Sequence, residues 1–191
     1  TTLAILFHDI GKPDTYALTS TDKHPDGKHT FYGHDSHGVG VFEKIAERLK
    51  FSNDEKNAIS WVIKNHMKPY KAEQMKPSKL LALKNNEFWP ELKDVLYADI
   101  HSRGGKSHFA KNPEDYKNIM HQFDTRTKGL GNATQVKSKL KGLVDGHMVM
   151  KLTGYTGPQV GRILKDVEEW ILNDKPDATK QDVIEYIDKI K

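Results

Sequence analysis

The sequence contains no cysteine among its 191 residues. A disulfide framework and a thiolate metal site are therefore excluded, so any metal bound by this chain has histidine, aspartate or glutamate ligands. The sequence also lacks an apolar run long enough for a bilayer-spanning helix, and it has no secretory signal pattern. These absences lead us to expect a cytoplasmic protein without a membrane partner.

The sequence has only a small excess of charge. The formal net charge is +4 and the pI is about 9.0, which is compatible with a phosphate or nucleic-acid partner but does not require one. A length of 191 residues suits one compact domain, or one domain with an appended helical lobe. No feature of the sequence indicates an oligomeric state.

The first seven residues form an apolar segment with no Met and no capping residue ahead of it. Natural chains rarely begin inside an element of the hydrophobic core. We therefore expect this sequence to be a fragment of a longer protein, or a chain whose first helices belong to a part that precedes residue 1.

Most of the chain has the apolar spacing of helices and few segments alternate with period two, so we predict an all-α fold. Ser52 with Glu55 and Thr179 with Asp182 have the spacing of capping boxes, which predicts helix starts. Residues 14–32 are expected to form either a short hairpin or a loop. The residues expected on buried helix faces or in the core are Phe42, Ile45, Ala46, Leu49, Ile59, Val62, His66, Leu92, Val95, Leu96, Asp99, Val160, Ile163, Leu164, Val167, Ile171, Val183, Ile187, Ile190, Trp61, Trp89, Tyr97 and Trp170.

A His-Asp pair follows the apolar segment at the start of the chain. His8 and Asp9 are adjacent potential ligands at a predicted helix end, and Gly11 after them lets the chain turn away sharply. We interpret the pair as half of a divalent-metal site, with Lys12 directing its positive charge toward a substrate phosphate. The alternative is a chance dipeptide at a helix C-terminus, where the helix dipole favours histidine.

Further candidate ligands occur at positions where packing alone predicts apolar residues. His34 opens the next predicted helix, His66 lies on the apolar face of a later helix, and Asp99 lies on another such face. A buried carboxylate needs a partner, which is a metal ion, a buried Arg or a helix N-terminus. His66 is either a ligand or a core histidine with its hydrogen bonds satisfied. His37 is either a group that supports the ligands or one that contacts substrate.

These elements carry a resemblance to a known family. The segments Phe7-His8-Asp9-Ile10-Gly11-Lys12-Pro13, Phe31-Tyr32-Gly33-His34-Asp35 and Asn65-His66-Met67, together with Asp99, resemble the HD phosphohydrolase superfamily. The segments Met75-Lys76-Pro77-Ser78, Leu80-Leu81 and Thr156-Gly157-Pro158-Gln159-Val160-Gly161-Arg162-Ile163-Leu164 are similar to the C-terminal half of bacterial tRNA nucleotidyltransferases and related poly(A) polymerase proteins. The resemblance covers roughly the whole chain.

The resemblance implies an HD-domain helical bundle over residues 1–125, without its first helix, and a C-terminal helical extension over residues 126–191. It implies a metal-dependent phosphatase and 2′,3′-cyclic phosphodiesterase that acts on nucleotides or RNA ends, including those of tRNA. His8, Asp9 and Asp99 are then the core ligands, and His34 and His66 complete a second metal position. The one or two ions are expected to be Mn, Fe, Co, Ni or Zn, with Mg as a further candidate, because the ligands mix imidazole and carboxylate.

The chain also departs from the family pattern. The first histidine ligand of the family precedes the HD pair, so it either lies before residue 1 or is replaced by His24 or His29. The nucleotidyltransferase head is absent, so we do not expect nucleotide addition. Asp9 and Lys12 are the expected catalytic residues, with Arg103 as a weaker candidate that is either a charge-stabilising group or a solvated loop residue. Lys12, His37 and Arg103 are the expected substrate contacts.

Two other functions remain open from the sequence. One is a different HD enzyme, a nucleotidase or a dNTP triphosphohydrolase, which would use the same metal site on another substrate. The other is a non-catalytic RNA-binding HD module whose metal site has decayed.

Overall fold

The computed structural model describes residues 1–21, 24–102, 112, 114–131 and 133–191, with the backbone alone at residues 21, 24, 133, 134, 136 and 137. Arg103, a predicted catalytic and substrate-binding residue, lies outside the described residues. The described chain is predominantly helical, which confirms the all-α prediction. The helices are α1 (Thr2–Phe7), α2 (Lys12–Thr15), α3 (His34–Arg48), α4 (Asn53–Asn65), α5 (Pro77–Lys84), α6 (Trp89–Ser102), α7 (Glu114–Arg126), α8 (Ala133–Leu143), α9 (Gly146–Thr153), α10 (Pro158–Asn173) and α11 (Lys180–Ile190), and a 3-10 helix spans Pro69–Gln74.

A short hairpin occupies the polar stretch between α2 and α3. Strand β1 (Ala17–Thr21) pairs antiparallel with strand β2 (His24–Thr30), with Ala17 opposite Thr30 and Leu18 opposite His29. The hairpin is one of the two alternatives expected for residues 14–32. None of the described helices is both long enough and apolar enough to cross a membrane.

The chain divides into two compact units. The first unit comprises Thr1–Glu73 and Glu87–His121, and the second comprises Gln74–Asn86 and Gln122–Lys191. The sequence did not indicate that the segment containing α5 belongs with the later helices. The domain boundary expected between residues 125 and 126 stays a prediction.

The first unit is built around α1, α3, α4 and α6. Phe42, Ile63 and Leu92 are fully buried, and α3 packs along α4. Ser52 caps α4, because its hydroxyl accepts from the Glu55 backbone N–H while the Glu55 carboxylate accepts from the Ser52 N–H, so the predicted capping box is confirmed. The buried faces place two polar residues, His66 and Asp99, in the interior.

The second unit has an aliphatic core. Its cluster joins α9, α10 and α11, with Val149, Val167 and Ile187 fully buried. Thr179 and Asp182 form the second predicted capping box at the start of α11, which is confirmed. The apolar spacing predicted the buried residues of α10 and α11 in this cluster, but not Val149 of α9.

Two residues expected on buried faces are exposed. Leu49 is the C-cap of α3, beyond the part of the helix that packs on the core. Its side chain is mostly solvent-exposed. Tyr97 is 51% exposed, because it lies on the side of α6 that faces away from Asp99. Its ring stacks on that of His101, with the ring centroids 3.8 Å apart.

Candidate metal centre

The His-Asp pair lies immediately after α1, as the sequence predicted. His8 is the C-cap of α1, with φ −55° and ψ −33°, and Asp9 follows it. Gly11 lies in the turn between α1 and α2 with φ −80° and ψ −9°, a conformation open to any residue, so the turn by itself does not require glycine. A Cβ at Gly11 would lie 2.2 Å from the His34 carbonyl oxygen and 2.7 Å from the Gly38 nitrogen. Glycine is needed because the chain passes against the first turn of α3, and this close approach brings Asp9 to His34.

Three histidines share one hydrogen-bonding arrangement. In each of them Nδ1 lies 2.7 Å from the backbone carbonyl oxygen of the third residue before it. An Nδ1–H that donates to this carbonyl leaves Nε2 as the ring nitrogen with a lone pair, which is the arrangement typical of metal-ligating histidines. The pairs are His8 with Ile5, His34 with Phe31, and His66 with Ile63.

These Nε2 atoms converge on the Asp9 carboxylate. Oδ1 of Asp9 lies 3.4 Å from Nε2 of His34 and 3.5 Å from Nε2 of His66. Oδ2 of Asp9 lies 3.2 Å from Nε2 of His8, which in turn lies 3.5 Å from Oδ1 of Asp99. Two potential ligand groups result, Asp9–His34–His66 and His8–Asp9–Asp99, each with its ligand atoms within 4.8 Å of one another. Asp9 belongs to both groups.

The donor chemistry of these groups fits a metal ion. Nε2 of His34 and Nε2 of His66 lie 3.1 Å apart, and both histidines are buried. Two lone pairs at this distance repel unless a proton or a metal ion lies between or beside them. Nε2 of His8 is also buried and makes no hydrogen bond of normal geometry to the described residues. A divalent ion in each group would satisfy these nitrogens and offset the burial of Asp99.

The charges of the centre support one another. Burial lowers the pKa of His8, but the carboxylates of Asp9 and Asp99 outweigh it and raise that pKa to about 9. Burial raises the pKa of Asp9, but His34, His66 and His8 together hold it far below its usual range. Asp9 is therefore ionised at neutral pH, as a metal-ligating carboxylate needs to be.

The sequence does not indicate a role for Tyr70, which the structure places beside the candidate metal centre. Its hydroxyl donates to Oδ2 of Asp99 at 2.6 Å, and its ring packs against the cluster of Leu96 and Ile100. The hydrogen bond leaves Oδ1 of Asp99 directed toward His8. Sequence spacing gave no signal for this contact, because the 3-10 helix that carries Tyr70 approaches α6 only in the tertiary structure.

The two predicted substrate contacts of the described chain lie in different places. Lys12 forms an ion pair with Oδ2 of Asp9, so its positive charge lies at the edge of the ligand groups. His37 is 46% exposed and its Nε2 lies 2.9 Å from Oδ2 of Asp14. His37 belongs to neither ligand group, although it follows His34 by one helical turn.

One of the two suggested replacements for the missing histidine is placed away from the centre. His29 lies on β2, is exposed, and its Nδ1 is 3.0 Å from the Tyr16 hydroxyl. The side chain of His24 lies outside the described residues. The described part of the chain thus offers three imidazoles to the two ligand groups, those of His8, His34 and His66.

A protein-family model for the HD domain matches residues 1–104, which is more than half of the chain. The chain belongs to the HD domain family. This family is part of a metal-dependent phosphohydrolase superfamily, and its domains bind divalent metals. The match includes each residue of the two ligand groups.

Two curated relatives extend the likeness into the second unit. Over an alignment of 168 residues the chain is 29% identical to the A-adding tRNA nucleotidyltransferase of Deinococcus radiodurans. The alignment covers 87% of this chain and 36% of that protein. Over an alignment of 171 residues it is 27% identical to the CC-adding tRNA nucleotidyltransferase of Thermus thermophilus. This alignment covers 87% of this chain and 35% of that protein. The relation expected from the sequence motifs is therefore confirmed, and the HD chain spans about a third of the length of these relatives. No solved structure matches the chain significantly.

Proposed function

We propose that this HD chain is a metal-dependent phosphatase and 2′,3′-cyclic phosphodiesterase that acts on nucleotides or RNA ends. The observation that carries the proposal is the convergence of three histidine Nε2 atoms on Asp9, with Asp99 beside them. His8, Asp9 and Asp99 hold one ion in this proposal, and Asp9, His34 and His66 hold a second. Mn, Fe, Co, Ni and Zn suit this mixture of imidazole and carboxylate ligands, and Mg is a further candidate.

The centre is suited to hydrolysis at phosphorus. A divalent ion there supplies Lewis acidity toward a phosphoryl oxygen and lowers the pKa of water. Asp9, ionised and common to both ligand groups, would hold an ion in either of them. The Tyr70 hydroxyl holds Asp99 in one orientation, so the site does not reorganise when substrate binds.

Lys12 is the proposed charge-stabilising residue. Its ammonium lies against Asp9 and is partly exposed, so a phosphate that enters the centre meets this positive charge. Negative charge grows on the phosphoryl oxygens as water adds and the P–O bond to the leaving ribose oxygen breaks, and Lys12 stabilises it. His37, held by Asp14 one turn beyond His34, is proposed to contact the same substrate at the edge of the site.

An RNA end, including that of tRNA, is the proposed macromolecular substrate. The two relatives are named as tRNA nucleotidyltransferases, and the likeness to them runs through both units. The second unit contains 15 Lys and Arg against 10 Asp and Glu, whereas the first contains 15 against 16. Excess positive charge on one unit favours attraction of a polyanion. We propose that residues 1–125 are the hydrolase domain and residues 126–191 its helical extension.

The test is hydrolysis of 2′,3′-cyclic AMP and of a generic phosphate monoester in the presence of Mn, Co, Ni or Mg. We expect turnover that depends on a transition metal and is abolished by chelation. The double variant His8→Ala/Asp9→Ala serves as the blank. It removes one ligand from Asp9–His34–His66 and two from His8–Asp9–Asp99.

The control is a double variant away from the ligand groups, Asp188→Ala/Lys191→Ala, which removes an exposed ion pair of the second unit. It should retain full turnover. Absence of turnover with every metal, from protein whose circular dichroism shows it folded, would contradict the proposed activity and favour a binding module.

A further inference from the structure

A tight turn connects the hairpin to the metal centre. The backbone N–H of His34 donates to the Phe31 carbonyl oxygen at 3.2 Å, which closes a four-residue turn with Tyr32 and Gly33 at its corners. Gly33 has φ +77° and ψ +8°, the values of the third residue of a type II turn, which favours glycine. The same Phe31 carbonyl also accepts from Nδ1 of His34 at 2.7 Å. The turn therefore fixes the orientation of a ligand histidine.

Tyr32 is the residue that this turn presents to solvent. It is 85% exposed, the highest value among the large apolar and aromatic side chains of the described chain. Its side chain makes no hydrogen bond, ion pair or ring contact with another described residue. A single exposed aromatic residue needs no explanation by itself. The position of Tyr32, two residues before His34 on a turn closed by two hydrogen bonds, is what distinguishes it.

The neighbouring aromatic side chains are already engaged. The ring of Phe31 lies 5.8 Å from that of Tyr16 and has the Lys12 ammonium 5.7 Å from its centroid. The Tyr16 hydroxyl lies 3.0 Å from Nδ1 of His29. These contacts hold the residues on either side of the turn in place. Tyr32 is thus an exposed ring on a rigid turn, next in sequence to Phe31, whose ring the Lys12 ammonium approaches.

We propose that Tyr32 stacks on the base of a nucleotide whose phosphate lies at the metal centre. This inference rests on the proposed phosphohydrolase function and adds a residue that binds the base, which favours nucleotides and RNA ends over phosphate esters without a base. One ribose separates a phosphate from its own base, and a few bonds separate His34 from Tyr32. Stacking on an aromatic side chain tolerates every base, because each base has a π-face.

A nucleotide base suits the position better than a protein surface does. A protein partner is expected to need a contiguous apolar patch, whereas Tyr32 lies between Phe31, whose ring already packs on Tyr16, and Gly33, and is followed by the polar Asp35 and Ser36. A fixed turn also limits the conformational entropy lost when the ring is covered. The ring is therefore prepared for one flat ligand group.

The experiment compares two phosphate probes on the manganese-loaded chain. The probes are adenosine 2′-monophosphate, which carries a base, and glycerol 2-phosphate, which does not, each as the phosphonate analogue in which CH2 replaces the ester oxygen. Neither analogue can be hydrolysed, so calorimetry measures the affinity of each without turnover. We expect Tyr32→Ala to weaken binding of the nucleotide by about 5- to 150-fold, and to leave binding of glycerol 2-phosphate unchanged. Tyr32→Phe keeps the ring and should bind both probes as the unaltered chain does.

Tyr97→Ala is the matched control. Tyr97 is also exposed and lies two residues before a ligand, Asp99, but on the opposite face of α6. Its removal should leave both affinities unchanged. In steady-state kinetics, Tyr32→Ala should raise the KM for 2′,3′-cyclic AMP and leave kcat close to that of the unaltered chain.

The outcomes separate the two proposals. Selective loss of nucleotide affinity supports stacking even if no hydrolysis is found, in which case only the proposed activity fails. Hydrolysis with unchanged nucleotide affinity in Tyr32→Ala overturns stacking and leaves the activity intact. Equal loss of affinity for both probes also overturns stacking, because it shows that Tyr32 supports the turn and not the base.

Discussion

The two compact units of this HD chain bury different chemistry. In the first unit, His34, His66 and Asp99 are 8%, 2% and 5% exposed and lie within reach of Asp9. In the second unit, the cluster formed by α9, α10 and α11 is aliphatic, with Val149, Val183 and Ile187 fully buried. Helical apolar spacing produces both cores, but among the described residues buried ionisable side chains occur in the first unit only.

The difference shows where stability and function are divided. A buried carboxylate or a pair of facing imidazole lone pairs costs free energy unless a partner is supplied, so the first unit gives up part of its stability for a site. The second unit has no comparable cost in its aliphatic cluster. A change in the first core should therefore alter metal binding and turnover, and one in the second core should alter the free energy of unfolding.

The largest expected effect is that of Asp9→Asn. The substitution keeps the shape of the side chain but removes the charge shared by both ligand groups. We expect hydrolysis to fall by at least about 10³-fold and bound metal to fall below one ion per chain, because charge stabilisation by the ion contributes several kcal/mol. Metal analysis after gel filtration and initial-rate kinetics measure the two quantities.

The matched control for this change is Asp188→Asn, an exposed carboxylate of the second unit that pairs only with Lys191 among the described residues. It should leave metal content and rate unchanged. Full metal content in Asp9→Asn would contradict the assignment of Asp9 to the two ligand groups.

Ile187→Ala should have the opposite profile. Ile187 is fully buried in the aliphatic cluster, so its truncation leaves a cavity and should lower the free energy of unfolding by about 2–5 kcal/mol. Urea titration followed by circular dichroism measures the loss. Metal content per folded chain should not change, and a loss of metal from protein that is still folded would break the division between the units.

Tyr70→Phe should weaken metal binding without unfolding the first unit. The substitution removes the hydrogen bond to Asp99 and keeps the ring against Leu96 and Ile100. Loss of such a supporting group lowers metal affinity by about 10- to 100-fold. Competition with a chromogenic chelator measures the affinity. Tyr97→Phe is the control, and equal affinities for the two variants would show that Tyr70 does not position Asp99.

The smallest expected effect is the loss of a helix cap, which we expect to be similar in the two units. Ser52→Ala in the first unit and Thr179→Ala in the second each remove the hydroxyl of a complete capping box. Each should lower the free energy of unfolding by about 1 kcal/mol, because the lost hydrogen bond satisfied a free backbone N–H. Urea titration of the two variants should give similar losses, and a tenfold difference between them would show that local capping depends on the surrounding core.

The sequence predicted both capping boxes, the helical faces of α4, α6, α10 and α11, and the positions of His8 and His34 at helix ends. It was wrong in predicting that Leu49 and Tyr97 are buried. Apolar spacing does not show where a helix leaves the core, or whether another element packs on an aromatic side chain. The sequence predicted a turn at Gly11 but not the reason that only glycine fits there. That reason is a contact with His34 and Gly38, which are distant in sequence.

The sequence by itself determined that the chain is helical and which residues are able to ligate a metal, because helical periodicity and side-chain chemistry are local properties. Only the tertiary structure decided that Asp9 is shared by two ligand groups, that Tyr70 supports Asp99, and that His37 pairs with Asp14 outside those groups. These arrangements depend on where α1, α3, α4 and α6 approach one another. That approach is set by packing between segments far apart in the chain.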